Sequence, residues 1–248
     1  MPRRARDKSE SGIYHVIVRG INRQDIFLAE EDKGVYLDKL QKYKKECGFE
    51  IYAYCLMNNH VHLLLKENET DLAIIMKKIG TSYAYWYNWK YGRSGHLFQD
   101  RYKSEPVEND RYLLTVIRYI HQNPVKVGLK IDVWTSYQDY LKLGGLTDSR
   151  YILEIFNTDV KKAQAEFKRF VKEPNEDRCL EMSEETRRTD EEAKRIIKEI
   201  IKTSNYEELK TWEKRKRDEK LKALKEAGLT VRQIERLTGV NRGAVLNA

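Results

Sequence analysis

FEIYAYCLMNNHVHLLLK, residues 49–66, is the stretch on which the fold turns. Residues 49–57 and 60–66 are aromatic, aliphatic and β-branched, and two asparagines separate them. The pattern predicts two strands joined by a two-residue hairpin turn at Asn58-Asn59, because asparagine tolerates positive φ. Within the second strand, residues two apart project to one face. His60 and His62 therefore share a face, while Val61, Leu63 and Leu65 point to the other. Two imidazoles so placed can chelate one divalent metal, although a bare H-x-H also occurs as two satisfied polar side chains on a half-exposed strand.

Working outward, residues 12–19 (GIYHVIVR) predict a strand that ends at Gly20. Residues 31–47 predict a helix stopped by Gly48, with Val35, Leu37, Leu40 and Tyr43 among its apolar positions. Residues 71–90 carry Leu72, Ile75, Met76, Ile79, Tyr83 and Trp86 at spacings of three and four, the period of a helix. Residues 96–106 include a strand, and 109–123 a helix stopped by Pro124. The order β-α-β-β-α-β predicts an α+β fold: a ferredoxin-like antiparallel sheet with helices on one face, followed by a further helix. Beyond residue 130 the pattern is all-α. Helices are expected within 149–172 and, from capping pairs Thr189/Glu192, Asn205/Glu208 and Thr230/Gln233, near 190, 206 and 231. The expected division is a catalytic domain over 1–145, a helical connector over 146–204 and a helix-turn-helix region over 205–248.

Composition excludes several classes. Three cysteines without a CxxC pair argue against a disulfide scaffold or a cysteine-ligated zinc module, and suit a reducing compartment. No apolar run approaches the roughly 18 residues of a membrane span, and the basic N-terminus lacks the apolar stretch of a signal peptide. A cytoplasmic, nucleoid-associated protein with no membrane partner is expected. The net charge of +8 is uneven: +6 in residues 1–130, −2 in 131–204 and +4 in 205–248. Two nucleic-acid contacts joined by a connector would produce that pattern; so would chance.

The segment RYIHQNP (118–124) adds a second constellation. On a helix Tyr119 and Asn123 share a face, and Leu113, Val116, Ile117 and Ile120 form the buried stripe. Tyr112, Tyr119 and Asn123 cluster at its edge. His121 falls roughly 160° from Asn123 at about 100° per residue, outside any shared site.

His60-x-His62 on a strand, then Tyr119 on a helix within RYIHQNPV, resembles the HUH single-strand DNA transposases with one catalytic tyrosine, in the REP-associated branch. YHVIVRGINRQ (14–24) and YGRSGHLFQDRYKS (91–104) extend the resemblance, which covers about residues 1–145. It implies a transposase/endonuclease that cleaves and rejoins single-stranded DNA beside hairpins through a 5′-phosphotyrosine intermediate. Tyr119 would be the nucleophile, with His60, His62 and Asn123 holding Mg2+ or Mn2+. Asn123 departs from the longer glutamine often found at its position. Ligand softness at two imidazoles would favour a transition metal, so the magnesium or manganese expectation comes from the resemblance.

Arg19, Asn22, Arg23, Arg93, Arg101, Lys103 and Arg118 are the candidate phosphate contacts of the first part. Six aromatics in SYAYWYNWKYG (82–92) exceed one buried stripe; the surplus either stacks on unpaired bases or packs under the C-terminal extension. At 227–248 a helix, Gly239 and a short helix capped by Asn241 have helix-turn-helix form. Asn241 and Arg242 would lie near bases and Arg232 and Arg236 near phosphates of duplex DNA. A helical hairpin packed on the catalytic domain is the other reading. The competing functions are a catalytically silent hairpin-binding or repressor protein, and a metal-dependent nuclease using water. Monomer and homodimer, and a site assembled in cis or in trans, both remain open.

Overall fold

The structure is a computed structural model describing residues 6–181, 190–203 and 206–248. The chain forms two compact units, residues 1–182 and 183–248. The expected connector, 146–204, is thereby shared between them.

In the first unit the elements run β1 (Ile13–Arg19), α1 (Glu30–Cys47), β2 (Glu50–Met57), β3 (His60–Lys66), α2 (Leu72–Lys90), β4 (Lys103–Pro106) and α3 (Asp110–Lys126). The strands form one sheet in the order β2-β3-β1-β4, every neighbouring pair antiparallel. This is the split β-α-β arrangement expected.

Alternation along the strands sorts side chains onto two faces. Tyr14, Val16, Val18, Val61, Leu63 and Leu65 pack with Tyr36, Leu40, Ile75, Ile79 and Tyr83 of α1 and α2. Ile13, Ala53, Cys55 and Leu64 pack instead with Val116, Ile117 and Ile120 of α3. Helices on one face is thus corrected to helices on both. The reason lies in β2 and β3, which are apolar on both faces rather than strictly alternating. Behind α3 lie α4 (Tyr137–Lys142), α5 (Ser149–Phe156) and α6 (Val160–Lys172), with Tyr140 and Phe167 fully buried. They cover the far side of α3, where His121 is fully buried and within 2.8 Å of Ser136 Oγ.

Three local expectations change. The β2–β3 turn does have two residues, but neither Asn58 nor Asn59 takes positive φ. Tertiary bonds hold it instead: Asn58 O accepts from Ile26 and Phe27 N–H, and Asn59 O from Gly20 N–H. Pro124 does not stop α3, which runs to Lys126 and is followed by Gly128 at φ 79°. Packing against α6 and the sheet outweighs the hydrogen bond that proline removes. On α2 the fully buried aromatics are Tyr83 and Tyr87, with Trp86 half-buried, while Tyr85 and Trp89 are exposed. Tyr83, Tyr87 and Tyr91 hydroxyls donate to Ile26 O, Asp25 O and Asp32, so these rings clamp the loop after β1.

The second unit is all-α. It contains α7 (Asp190–Ile201), a 3-10 turn (Tyr206–Lys210), α8 (Lys214–Glu226), α9 (Val231–Thr238) and α10 (Arg242–Asn247). Its core includes Ile197, Leu209, Leu221, Leu224, Ile234 and Val245. Thr230 and Gln233 form the expected capping box. The expected caps Thr189 and Asn205 lie outside the described residues. Gly239, at φ 65°, ends α9, and Asn241 Oδ1 accepts from Ala244 N–H to start α10. Among the described residues no helix is long and apolar enough to cross a membrane.

Candidate active site

The site lies between the α3 side of the sheet and α3 itself. Strand register explains its assembly. Arg19 on β1 stands opposite His60 on β3, and His15 opposite both Leu64 on β3 and Glu105 on β4. His62, two residues before Leu64, is the diagonal neighbour of His15, within side-chain reach. A line of hydrogen bonds therefore crosses three strands. His15 Nδ1 lies 2.9 Å from Glu105 Oε1, and His15 Nε2 lies 3.0 Å from His62 Nδ1. His60 Nδ1 lies 2.7 Å from Asn59 Oδ1.

Tyr119 projects from α3 onto this line. Its ring centroid is 5.8 Å from that of His62 and 5.9 Å from that of His15, edge-on in both cases. One chain thus brings the tyrosine beside its own histidines. Tyr119 is 3% exposed; its hydroxyl donates to Glu181 Oε1 at 2.8 Å, and Lys126 Nζ lies 3.9 Å from its ring centroid. Asn123 is also buried, and its Nδ2 donates to Tyr119 O at 2.8 Å, the two residues being one turn apart.

Electrostatics follow from burial. Burial and nearby Arg19 push His60 down to about 4. Burial, with His15, His60 and Lys126, holds His62 well below the ordinary imidazole range. Both rings are therefore neutral at pH 7, with lone pairs free for a cation. Burial raises the Tyr119 hydroxyl far above its ordinary value, and the Glu181 hydrogen bond and charge add to the rise. Burial also pushes Glu105 up, but hydrogen bonds from His15, Leu180 N–H and the Tyr112 hydroxyl outweigh it, leaving the carboxyl below its usual range.

Two imidazoles and an amide fit a divalent cation. Both rings are engaged through Nδ1, so Nε2 is the nitrogen that would ligate a cation. Asn123 spends its Nδ2 on Tyr119 O, and its Oδ1 is an oxygen of the kind a hard cation prefers. Among the described residues no group of three or more His, Cys, Asp or Glu forms a metal cluster, so any cation here relies on the amide as well.

The candidate DNA contacts divide. Arg19 ends β1 beside His60 and donates to Gln99 Oε1 at 3.1 Å. Asn22 and Arg23 follow in a turn with φ of 51° and 61°, the left-handed region that arginine seldom adopts. Gly20 precedes them because a Cβ there would lie 2.1 Å from Gln24 O. Lys103 on β4 is half-buried, opposite Ile17, and Arg101 is exposed. Arg93 donates to Gln24 Oε1 at 3.1 Å. Arg118 makes a bidentate ion pair with Asp177, at 2.7 and 2.9 Å. In the second unit Arg232 and Arg242 are exposed, Arg236 pairs with Asp190, and Asn241 caps α10.

His15, Glu105, Lys126 and Glu181 join the site without having been singled out. His15 lies inside the quoted YHVIVR strand, where its alternation against Tyr14, Val16 and Val18 marks it as facing the other side. Glu181 comes from the segment after α6, which crosses α3 through Gln122, Arg118 and Tyr119, a contact no local pattern announces.

Residues 8–123 match the family described as Transposase IS200 like. The chain is also similar to the REP-associated tyrosine transposases. A protein assigned to that group in Haemophilus influenzae (strain Rd) is 27% identical over 139 residues, 50% of this chain and 76% of the relative. A solved REP-associated tyrosine transposase bound to a REP hairpin matches 60% of this chain and 94% of its own, at 20% identity and TM-score 0.48. A protein assigned as a transposase of Deinococcus radiodurans R1 matches 52% of this chain and 98% of its own, at 18% identity and TM-score 0.35.

Proposed function

We propose that the first unit cleaves and rejoins single-stranded DNA next to hairpins, with Tyr119 as nucleophile. The observation that carries this reading is the position of the Tyr119 ring, 5.8 Å from the ring of His62 across the sheet-facing side of α3. In the reaction the Tyr119 oxygen bonds to the scissile phosphorus and the phosphorus–O3′ bond breaks. The products are a 5′-phosphotyrosine and a free 3′-OH, so the phosphodiester energy is kept for rejoining. The phenolic proton is lost to solvent once DNA has displaced Glu181, and the departing 3′ oxygen takes up a proton from solvent, so the step balances.

His60 Nε2, His62 Nε2 and Asn123 Oδ1 would hold Mg2+ or Mn2+. Bound there, the cation would polarise a phosphoryl oxygen and offset the charge that develops, a contribution of several kcal/mol. The chain's own residues do the rest. Arg19 and Lys103 on the strands, and Arg23 in the turn after β1, neutralise the DNA backbone, and Asn22 beside Arg23 helps to orient it. Lys126, stacked on Tyr119, faces the charge that appears on the phenolic oxygen. Glu181 competes with the substrate, because its carboxylate occupies the hydroxyl that must approach an anionic phosphate. Engagement of DNA therefore displaces Glu181.

In the second unit α8, α9 and α10 are read as a helix-turn-helix, with Arg232 and Arg236 toward phosphates and Asn241 and Arg242 toward bases of duplex DNA. The acting protein works in the cytoplasm at the nucleoid.

The test is incubation with hairpin oligonucleotides and Mn2+, read on a denaturing gel. A protein–DNA adduct that vanishes in Tyr119→Phe is expected. Cleavage without adduct would point to water as nucleophile, and tight hairpin binding with no cleavage to a silent binding protein.

A further inference from the structure

Resting on the metal-site reading above, we propose that His15 and Glu105 are positioning residues that set the tautomer of His62, aiming its Nε2 lone pair at the cation. The hydrogen bonds enforce this in sequence. Three donors converge on Glu105 Oε1: the Tyr112 hydroxyl at 2.8 Å, Leu180 N–H at 2.9 Å and His15 Nδ1 at 2.9 Å. A carboxylate oxygen so loaded can only accept, so His15 carries its proton on Nδ1. With this as its one ring proton, His15 offers a lone pair at Nε2, and His62 Nδ1, facing it at 3.0 Å, donates to it. With its proton on Nδ1, His62 has an unprotonated Nε2.

The arrangement matters because an imidazole left to itself in water prefers the opposite tautomer, with the proton on Nε2, the form that blocks this nitrogen as a ligand. His15 is fully buried and His62 nearly so, so no water competes for these bonds. The rings of His15 and His62 lie in line and nearly coplanar, 5.3 Å between centroids and 23° between planes, so the N···N bond fixes the rotation of His62 as well as its proton. His60 needs no such chain: Asn59 Oδ1 accepts from its Nδ1 within the turn. The two candidate ligands are thus supported by unrelated devices, one local and one spanning β1, β3 and β4. Outer partners of ligating histidines typically contribute tenfold to a hundredfold in metal affinity.

The experiment uses the full chain. Long-range 15N–1H correlation spectra of the metal-free protein report the protonated nitrogen of each histidine, and Mn2+ titration followed by electron paramagnetic resonance gives the affinity. Wild type is expected to show His62 protonated on Nδ1 only. In His15→Phe the His62 proton is expected to move mainly to Nε2, with Mn2+ affinity about 10–100-fold weaker and adduct formation recovering at saturating Mn2+. His15→Gln, which keeps an acceptor toward His62 and a donor toward Glu105, is expected to restore most of the affinity. Should His15→Phe fail to fold, Glu105→Gln serves, with a smaller loss of affinity and a mixed tautomer signal. A His62 proton on Nε2 in wild type, or unchanged tautomer and Mn2+ affinity in a folded His15→Phe, overturns the proposal. If wild type binds no Mn2+ the metal-site reading falls, and the tautomer spectra still decide whether the His15–Glu105 chain sets His62.

Discussion

Tyr119 is the proposed nucleophile, and its surroundings oppose that role as much as they prepare it. Burial and Glu181 raise its hydroxyl far above the ordinary tyrosine value. Removing the Glu181 charge should therefore speed attack. Glu181→Gln is expected to form adduct severalfold faster at low DNA concentration, measured by single-turnover gel assay; a slower reaction would mean that Glu181 is needed as proton acceptor. A second residue-scale prediction concerns acid. Burial pushes His121 down to about 3 from an ordinary 6.5. The unfolded chain binds this proton below about pH 6.5 and the folded chain does not until far lower. Stability is thus full above that range and falls as the pH drops through it. From His121 alone the loss between pH 7 and pH 5 is on the order of 2 kcal/mol. The urea midpoint of metal-free protein should fall over that interval, and His121→Gln should flatten the fall.

At the scale of elements, α3 carries both the proposed nucleophile and the packing that aims it. Ile117 and Ile120 are fully buried against the sheet. Ile117→Ala should cost about 2–4 kcal/mol by chemical denaturation and lower adduct formation by loosening the register of Tyr119. An unchanged midpoint would show that α3 is not seated as described. Much of this was legible beforehand. The succession of elements along the chain came from the hairpin and the helical periods, and the shared face of His60 and His62 from the period of two. The stripe Leu113, Val116, Ile117 and Ile120 came from the period of 3.6. What escaped notice has physical reasons. A period assigns a side chain to a face but not the face to a neighbour, so the second layer on α3 was missed. Pro124 reads as a stop when local bonding alone is weighed, yet tertiary packing carries α3 past it. The pairing of His15 with Glu105 depends on register between strands 90 residues apart, which no local pattern specifies.

For the whole molecule, the charge divides differently from the sequence blocks. Residues 1–182 hold 30 Lys and Arg against 26 Asp and Glu, and residues 183–248 hold 17 against 13, so each unit carries +4. Every candidate residue of the nucleotidyl chemistry lies in the first unit. A chain ending at residue 182 should therefore keep adduct formation on short hairpins, whereas duplex binding, if α8–α10 supply it, should weaken and depend less steeply on salt in Arg232→Ala. Equal duplex affinity in both proteins would remove the second unit from DNA recognition. The central claim meets its most direct test in one gel: wild type and Tyr119→Phe incubated with hairpin-flanked single-stranded DNA and Mn2+. The account predicts a covalent protein–DNA band in wild type and none in the phenylalanine variant. An adduct that persists without the Tyr119 hydroxyl would contradict it.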